Sequence, residues 1–327
     1  MSCWVPAADR CTNRSVAKPA VQYLCFDLGG TKLFAALITD QGKIVNHTVK
    51  RIDQSRGLEG LLADFKELGT SLGGKYKAVS VASAGPLHSG RGVLLDPTNF
   101  FTGGKSWGVV PLVARLKKIF KKPVFLENDA AAAVMAESWK GGHGKSGRNI
   151  VAITLGTGVG IGCVANGQIV RAGQGLHPEA SHIPINNEAR EYPCGCGAYG
   201  CIEAYLAGTH FARRLSKRLG CELDGNQSLI LAKENEPTAI AAFAEYGRKL
   251  AEALRSLAVV FAPEIVVLSG GFTKAAPFFL PATEAHLPKV MERYREGVDL
   301  LPKVRVSKLG DRAGVLGAAY AAIHYQL

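Results

Sequence analysis

One histidine and three cysteines near the middle of the chain have the residue types and the spacing of a metal site. Cys194, Cys196 and Cys201 lie within eight positions, and His182 precedes the first of them by twelve residues. Zinc binds thiolate and imidazole ligands, and four protein ligands with no open position are typical of a structural zinc. Glycines between the cysteines allow the backbone to turn sharply enough for the ligands to converge. These four residues predict one structural Zn²⁺; reduced thiols or a disulfide are the alternatives.

Three carboxylates are not needed as zinc ligands and are therefore candidates for binding a substrate or for catalysis. Glu179 and Glu203 flank the cysteine segment, and a loop fixed by a metal would aim them at another ligand. Asp129 follows Asn128 at the end of an apolar strand and directly before an alanine-rich helix. In α/β sheets this end of a strand is a common position for catalytic groups. The alternative is that Asp129 only caps the helix.

Two glycine turns predict a phosphate site. The first follows a strand and contains Asp27, Gly29, Gly30, Thr31 and Lys32, and the second contains Gly156, Thr157 and Gly158. Each turn leads into another strand, so the pattern disagrees with the strand, loop and helix of a Walker or Rossmann site. Backbone amides and hydroxyls at a hairpin tip can surround phosphate, with Asp27 facing a hydrated Mg²⁺. An ordinary hairpin turn is the alternative for each one alone.

The elements that must position these residues alternate between strands and helices. Strands are predicted at 21–26, 33–38, 43–50, 78–82, 123–126, 149–155, 161–166, 168–171, 265–268 and 304–307, and helices at 58–72, 110–120, 130–140, 204–219, 238–261 and 314–324. The strand, glycine turn and strand pattern opens each half of the chain, which indicates an internal repeat. We therefore expect an α/β protein of two domains, with a polyphosphate held between the two hairpins.

Composition limits the possible partners. The 327 residues are 47% hydrophobic, enough for two cores, and the net charge of +12 is spread along the chain. This excess suits nucleotides or a solubilising surface, and it does not indicate nucleic acid. The other cysteines show no framework spacing, which fits a reducing compartment. Apolar runs stay short of the roughly 20 residues of a membrane span, and residues 1–20 lack a secretory signal. We expect a cytoplasmic protein without a membrane partner.

Taken in order, the motifs resemble those of the ROK family of bacterial sugar kinases and repressors. They are Asp-Leu-Gly-Gly-Thr-Lys at 27–32, Glu-Asn-Asp at 127–129, Leu-Gly-Thr-Gly-Val-Gly at 155–160, Glu-Ala-Ser-His at 179–182 and the cysteine cluster followed by Glu203. The resemblance implies two actin-like, ribonuclease H-like α/β domains flanking a cleft, as in hexokinases, with a zinc-stabilised loop. The expected division is a loose extension at 1–20, a small domain at 21–128 completed by 312–327, and a large domain at 129–311. A homodimer is also implied.

The resemblance also assigns roles. Asp129 is the expected catalytic base, and the sugar ligands are Asn99, Asn128, Asp129, Glu179, His182 and Glu203. His182 is expected to bridge sugar and zinc. ATP is expected to contact Asp27, Gly29, Gly30, Thr31 and Lys32 in the first hairpin, Thr154, Gly156, Thr157 and Gly158 in the second, and Gly270 and Gly271 beside adenosine. Mg²⁺ and Zn²⁺ are the expected metals.

The implied activity is ATP-dependent phosphorylation of a hexose, with glucose as the expected substrate and glucose 6-phosphate as the product. N-Acetylglucosamine, N-acetylmannosamine, mannose and fructose are alternatives, because Ser181 replaces a glycine that the family usually has there. A sugar-responsive repressor is the alternative from another class. Such repressors carry an N-terminal helix-turn-helix domain, and the residues before the first strand lack helical periodicity.

Overall fold

Two five-stranded β-sheets with helices packed on them organise the computed structural model, which describes residues 20–97, 100–186, 188–292 and 300–325. In chain order the strands are β1 (Gln22–Leu28), β2 (Lys32–Thr39), β3 (Ile44–Arg51), β4 (Val79–Ser83), β5 (Leu87–His88), β6 (Val93–Leu95), β7 (Phe101–Thr102), β8 (Lys105–Ser106), β9 (Val109–Val110), β10 (Val124–Asn128), β11 (Ile150–Leu155), β12 (Val159–Ala165), β13 (Gln168–Ile169), β14 (Ile265–Ser269) and β15 (Lys303–Val306). The α-helices are α1 (Gly57–Leu72), α2 (Leu112–Phe120), α3 (Asp129–Lys140), α4 (Ile202–Leu206), α5 (Gly208–Leu219), α6 (Gly225–Lys233), α7 (Pro237–Phe261), α8 (Ala276–Met291) and α9 (Ala313–His324).

The two large sheets share one topology. The first has the order β10-β4-β1-β2-β3, and the second has the order β13-β12-β11-β14-β15. In each, an antiparallel hairpin (β1–β2 or β11–β12) lies beside a strand parallel to its first member (β4 or β14). The internal repeat predicted from the glycine turns thus extends to whole sheets, and the predicted α/β class is confirmed.

Side chains of β1 alternate between two cores because helices cover both faces of its sheet. Leu24 and Phe26 pack against α1, where Phe65 meets Phe26 edge to face with the ring centroids 4.8 Å apart. Tyr23 and Cys25 point the other way and pack against α9. A strand buried on both faces is held rigidly, so the turn at its end has a fixed position.

Helices α3 and α9 join the two halves of the molecule. Helix α3 contacts β11 and β12, whereas α9 contacts β1, β4 and β10, and the two helices pack on each other. Their approach is close, since a Cβ added at Gly317 would lie 1.9 Å from the carbonyl oxygen of Ala132. Small residues in both helices permit this contact, which places the start of α3 where the halves meet.

Several segments differ from the sequence expectation, including the short strands β5 to β9, which were not predicted. The helix predicted at 204–219 is divided into α4 and α5, because Ala207 adopts an extended conformation with φ −63° and ψ 133°. Helices α6 and α8 were not predicted, and α8 contains Pro281 and Pro288. The expected loose extension at 1–20 lies almost entirely outside the described residues. In the part of the chain that the structure describes, no helix is long and apolar enough to span a bilayer.

Candidate active site

Asn128 and Asp129 lie at the junction between β10 and α3. The Asn128 side chain caps the helix, since its Oδ1 accepts hydrogen bonds from the amides of Ala130 (2.9 Å) and Ala131 (3.1 Å). Asp129 Oδ1 also accepts from the Ala130 amide, at 2.8 Å. Burial, helped by the nearby charge of Glu179 and opposed by the hydrogen bond from the Ala130 amide, raises the pKa of Asp129 to about 6. Asp129 is therefore a carboxylate of increased basicity.

Asp129 lines a cavity of about 530 Å³ together with the other predicted sugar ligands that the structure describes. These are Asn128, Glu179, His182 and Glu203. Asn128 and Glu179 approach Gly85 together: a Cβ at Gly85 would lie 3.4 Å from Asn128 Nδ2 and 3.7 Å from Glu179 Oε1. Burial raises the pKa of Glu179, and the nearby His182 opposes this shift. An amide donor, an imidazole and carboxylates around one small cavity suit a ligand rich in hydroxyl groups.

The second hairpin forms a wall shared by two cavities. Gly156 and Thr157, at its tip, line the 530 Å³ cavity and also a larger cavity of about 1170 Å³. Gly158 and Thr154 line only the smaller one, and the Thr154 hydroxyl accepts from the Gly160 amide at 3.0 Å within the hairpin. The tip of this hairpin can therefore contact a molecule bound in either cavity.

The larger cavity contains parts of both hairpins and of the strand end after β14. Thr31, Lys32 and Gly271 belong to its lining, while Gly270 lines the smaller cavity. Gly270 has φ +89°, and a Cβ there would lie 2.3 Å from the carbonyl oxygen of Leu155. Only glycine fits at this close crossing of β11 and the β14 end. Lys32, Arg213, Lys217 and Lys274 outnumber the lining carboxylates Glu222 and Asp224, and this excess of positive charge suits a polyphosphate.

Asp27, Gly29 and Gly30 lie in the first hairpin but outside the lining of the larger cavity. The carboxylate of Asp27 packs against the first turn of α9, where a Cβ at Gly314 would lie 2.3 Å from Asp27 Oδ2. Burial raises the pKa of Asp27 to about 7, and the charge of Asp129 adds to the shift. Gly29 and Gly30 shape the tip, where the Gly29 amide donates to the Lys32 carbonyl at 3.0 Å.

His182, Cys194, Cys196 and Cys201 converge as predicted. Their ligand atoms all lie within 4.8 Å of one another. Cys196 Sγ is 3.7 Å from Cys201 Sγ, and Cys194 Sγ is 3.4 Å from His182 Nδ1. Sulfur atoms at about 2.3 Å from a tetrahedral Zn²⁺ are about 3.8 Å apart, so the donor set fits zinc. The separation of the Cys196 and Cys201 sulfurs also disagrees with a disulfide between them.

Glu203 lies between the four predicted metal ligands and the second hairpin. Its Oε1 is 3.6 Å from Cys194 Sγ and 4.0 Å from His182 Nδ1. Its Oε2 accepts from the amide of Val159, at 3.1 Å. The carboxylate predicted as a sugar ligand thus also contacts the hairpin predicted to bind phosphate.

Sequence reasoning missed a buried ion pair behind the site. Arg171 binds both carboxylate oxygens of Glu127, which is 3% exposed and directly precedes Asn128. Glu127 Oε1 also accepts from the Asn128 amide at 2.8 Å. The only sequence signal was a charged residue at the end of an apolar strand. Asn99, predicted as a sugar ligand, lies outside the described residues.

Comparison with known proteins places these features in a family. The model of the ROK family matches residues 23–324. The chain is 30% identical over 318 residues to the glucokinase of Thermotoga maritima, covering 92% of this chain and 97% of that protein. It is 28% identical to the N-acetyl-D-glucosamine kinase of Yersinia pseudotuberculosis, covering 91% of this chain and 98% of that protein.

Solved structures agree with the fold. The ROK hexokinase from Thermus thermophilus superposes with a TM-score of 0.78 at 29% identity, covering 92% of this chain and 97% of the other. The ROK glucokinase from Streptomyces griseus, solved with glucose and AMPPNP, superposes with a TM-score of 0.74 at 26% identity, covering 91% and 98%. The protein with this pair of cavities and this cysteine cluster belongs to the ROK family.

Proposed function

We propose that the protein is an ATP-dependent hexose kinase with glucose as its preferred substrate. The observation that supports this best is the position of Asp129 in a small polar cavity that shares Gly156 and Thr157 with a larger cationic cavity. Sugar binds in the first cavity and ATP in the second. The similarity to glucokinases, one of them solved with glucose and AMPPNP, supports the assignment of the two ligands.

Asp129 performs the proton transfer. A sugar hydroxyl is too weak an acid to attack phosphate unaided, so Asp129 accepts its proton as the new oxygen–phosphorus bond forms. The raised pKa, at about 6, increases its basicity while leaving it mostly ionised at neutral pH. The proton transfer also requires a fixed geometry, which the Asn128 cap and the rigid strand β10 provide.

The remaining residues bind and orient the two substrates. Asn128, Glu179, His182 and Glu203 hold sugar hydroxyls, and backbone groups of the two hairpins hold the phosphates. Mg²⁺ bound with ATP would supply positive charge to the phosphate oxygens, and Asp27, at the end of β1, is the carboxylate that would face its water shell. Zn²⁺ held by His182 and the three cysteines would keep rigid the loop that carries Glu179, His182 and Glu203. With Nδ1 of His182 facing the cluster, its Nε2 is left for the sugar.

The domain division, the homodimer and the cytoplasmic location expected from the sequence are part of this proposal. Packing of α9 on β1 and β4 supports the assignment of residues 312–327 to the small domain. Unpaired cysteines throughout the described residues are consistent with a reducing compartment. Sedimentation of the purified protein tests the dimer.

The test is ADP release with Mg-ATP against glucose, mannose, fructose, N-acetylglucosamine and N-acetylmannosamine. We expect glucose to give the highest kcat/KM. A higher kcat/KM for another of these sugars would show that glucose is not the preferred substrate, and the proposed kinase reaction would stand. Silence with every sugar, from folded protein that binds sugar, would favour a regulatory protein.

Ser181 provides a second test of sugar preference. Its side chain is buried, with 3% exposed, and it lines the smaller cavity. A side chain in place of glycine narrows this cavity. We expect Ser181→Gly to raise activity toward N-acetylhexosamines relative to glucose, and an unchanged ratio would show that Ser181 does not set the preference.

A further inference from the structure

The tip of the second hairpin is anchored to the chain that directly follows the metal-binding cysteines. The Val159 amide donates to Glu203 Oε2 (3.1 Å), the Gly208 amide donates to the Gly156 carbonyl (2.8 Å), and the Thr209 hydroxyl donates to the Thr157 carbonyl (2.7 Å). We call residues 156–159 the tip segment and residues 203–209 the anchor segment. Three hydrogen bonds therefore connect these two short segments.

The anchor segment departs from regular helix in a way that makes these bonds possible. Helix α4 ends at Leu206, Ala207 is extended, and α5 begins at Gly208. The break turns the Gly208 amide and the Thr209 hydroxyl toward the hairpin. Contact is close there, because a Cβ at Gly208 would lie 2.9 Å from the Gly156 carbonyl oxygen. A continuous helix would have used the Gly208 amide within the helix.

Glu203 connects the tip segment to the metal-binding residues. It follows the ligand Cys201 by two positions, and its Oε1 lies 3.6 Å from Cys194 Sγ while its Oε2 bonds the hairpin. A Cβ at Gly158 would lie only 3.0 Å from Glu203 Oε2, so glycine permits the approach. The four predicted metal ligands, the anchor segment and the tip segment thus form one continuous set of contacts.

We propose that Glu203 and Thr209 are positioning residues that hold the tip segment in its phosphate-binding shape. The inference rests on the proposed kinase function and extends the role of the metal-binding loop from the sugar to the nucleotide. Because Gly156 and Thr157 line both cavities, a displaced tip segment weakens the phosphate contacts before any chemistry occurs. Because Glu203 also faces the sugar cavity, sugar and nucleotide binding are coupled through it, and such coupling is reciprocal.

The test is the affinity for AMPPNP with Mg²⁺, measured by calorimetry without sugar. Thr209 lines the larger cavity, but its hydroxyl donates to the Thr157 carbonyl. Thr209→Val keeps the shape of the side chain and removes this hydrogen bond, so we expect about three- to tenfold weaker nucleotide binding. Sugar binding without nucleotide should be unchanged. Ser138→Ala is the matched control, because its hydroxyl donates to the Gly147 carbonyl (2.6 Å) outside the lining of both cavities.

Glu203→Ala tests the connection to the metal-binding loop. We expect weaker AMPPNP binding and loss of any increase in nucleotide affinity that glucose produces in the wild type. Zinc content and melting temperature identify variants that fail to fold, and Glu203→Gln, which keeps one acceptor oxygen, should be intermediate.

Wild-type nucleotide affinity in both Thr209→Val and Glu203→Ala would overturn the inference and leave the kinase proposal intact. Wild-type protein that binds nucleotide but phosphorylates no sugar would overturn the kinase reaction, while weakened binding in the variants would still support the positioning role. Wild-type protein that binds no nucleotide would overturn both.

Discussion

Arg171 forms a bidentate ion pair with Glu127, the residue that directly precedes Asn128 and Asp129. Arg171 follows the end of β13 by two positions, in the chain that leads to Glu179, so the pair connects the strand before Asp129 with the segment before Glu179. In this ion pair the Glu127 side chain is 3% exposed and the Arg171 side chain is 26% exposed. An ion pair this buried fixes the position of the end of β10 relative to the chain after β13.

Removal of one partner leaves a buried charge without compensation. We expect Arg171→Met to lower the free energy of unfolding by about 3–5 kcal/mol and to raise the sugar KM. Arg218→Met is the control, because its pair with Glu245 is over one-third exposed on both sides and is worth about 0–1 kcal/mol. Chemical denaturation measures the free energy of unfolding and steady-state kinetics measures the sugar KM. Equal effects in the two variants would contradict the role of the Arg171–Glu127 pair in positioning the site.

Asn128 has two tasks that substitution can separate. Its Oδ1 caps α3, and its Nδ2 lies near Gly85 and Glu179 in the lining of the smaller cavity, which we propose binds the sugar. Asn128→Asp keeps the cap and loses the donor, so stability should be retained while the sugar KM rises. Asn128→Ala loses both, and we expect about 1 kcal/mol lower stability in addition. Normal sugar KM in Asn128→Asp would show that the amide does not bind sugar.

The pKa of Asp129 predicts the acid limb of the pH profile. A base must be ionised to accept a proton, so kcat/KM should fall as pH drops through about 6. The charge of Glu179 contributes to the raised pKa, and Glu179→Gln should therefore move the midpoint to lower pH. Initial rates across pH 4.5–8, measured at low sugar for both proteins, give the midpoints. An unmoved midpoint would contradict the electrostatic link.

Metal content tests the cysteine cluster. We expect about one zinc per chain, lost in Cys196→Ser together with thermal stability and sugar affinity. Cys221→Ser, which removes an exposed cysteine outside the cluster, should keep the metal. Elemental analysis with thermal unfolding measures both, and full activity in metal-free protein would exclude the structural role.

Local patterns in the sequence predicted the parts of the site that depend on neighbouring residues. The two hairpins, the proposed base at the end of β10 and the four predicted metal ligands each lie within short segments whose spacing has a direct physical meaning. Helix α8 escaped prediction because Pro281 and Pro288 argue against a helix interior, although its packing against α7 compensates for their cost.

Contacts between distant segments could not be predicted in the same way. Arg171 and Glu127 are 44 residues apart, and nothing local in either segment indicates the other. The helix break at Ala207 is set by the contact of Gly208 with Gly156, so propensity alone predicts a continuous helix there. Glu203 was assigned to the sugar, and its bond to Val159 became visible only from the folded arrangement.

The most direct test of the account is turnover by Asp129→Asn with glucose and Mg-ATP. Asparagine keeps an oxygen that can accept from the Ala130 amide, so the start of α3 and both binding sites should persist. We predict that kcat falls by about 10²–10⁴, while glucose and AMPPNP affinities measured by calorimetry change little. Turnover near the wild-type value would contradict the assignment of Asp129 as the base.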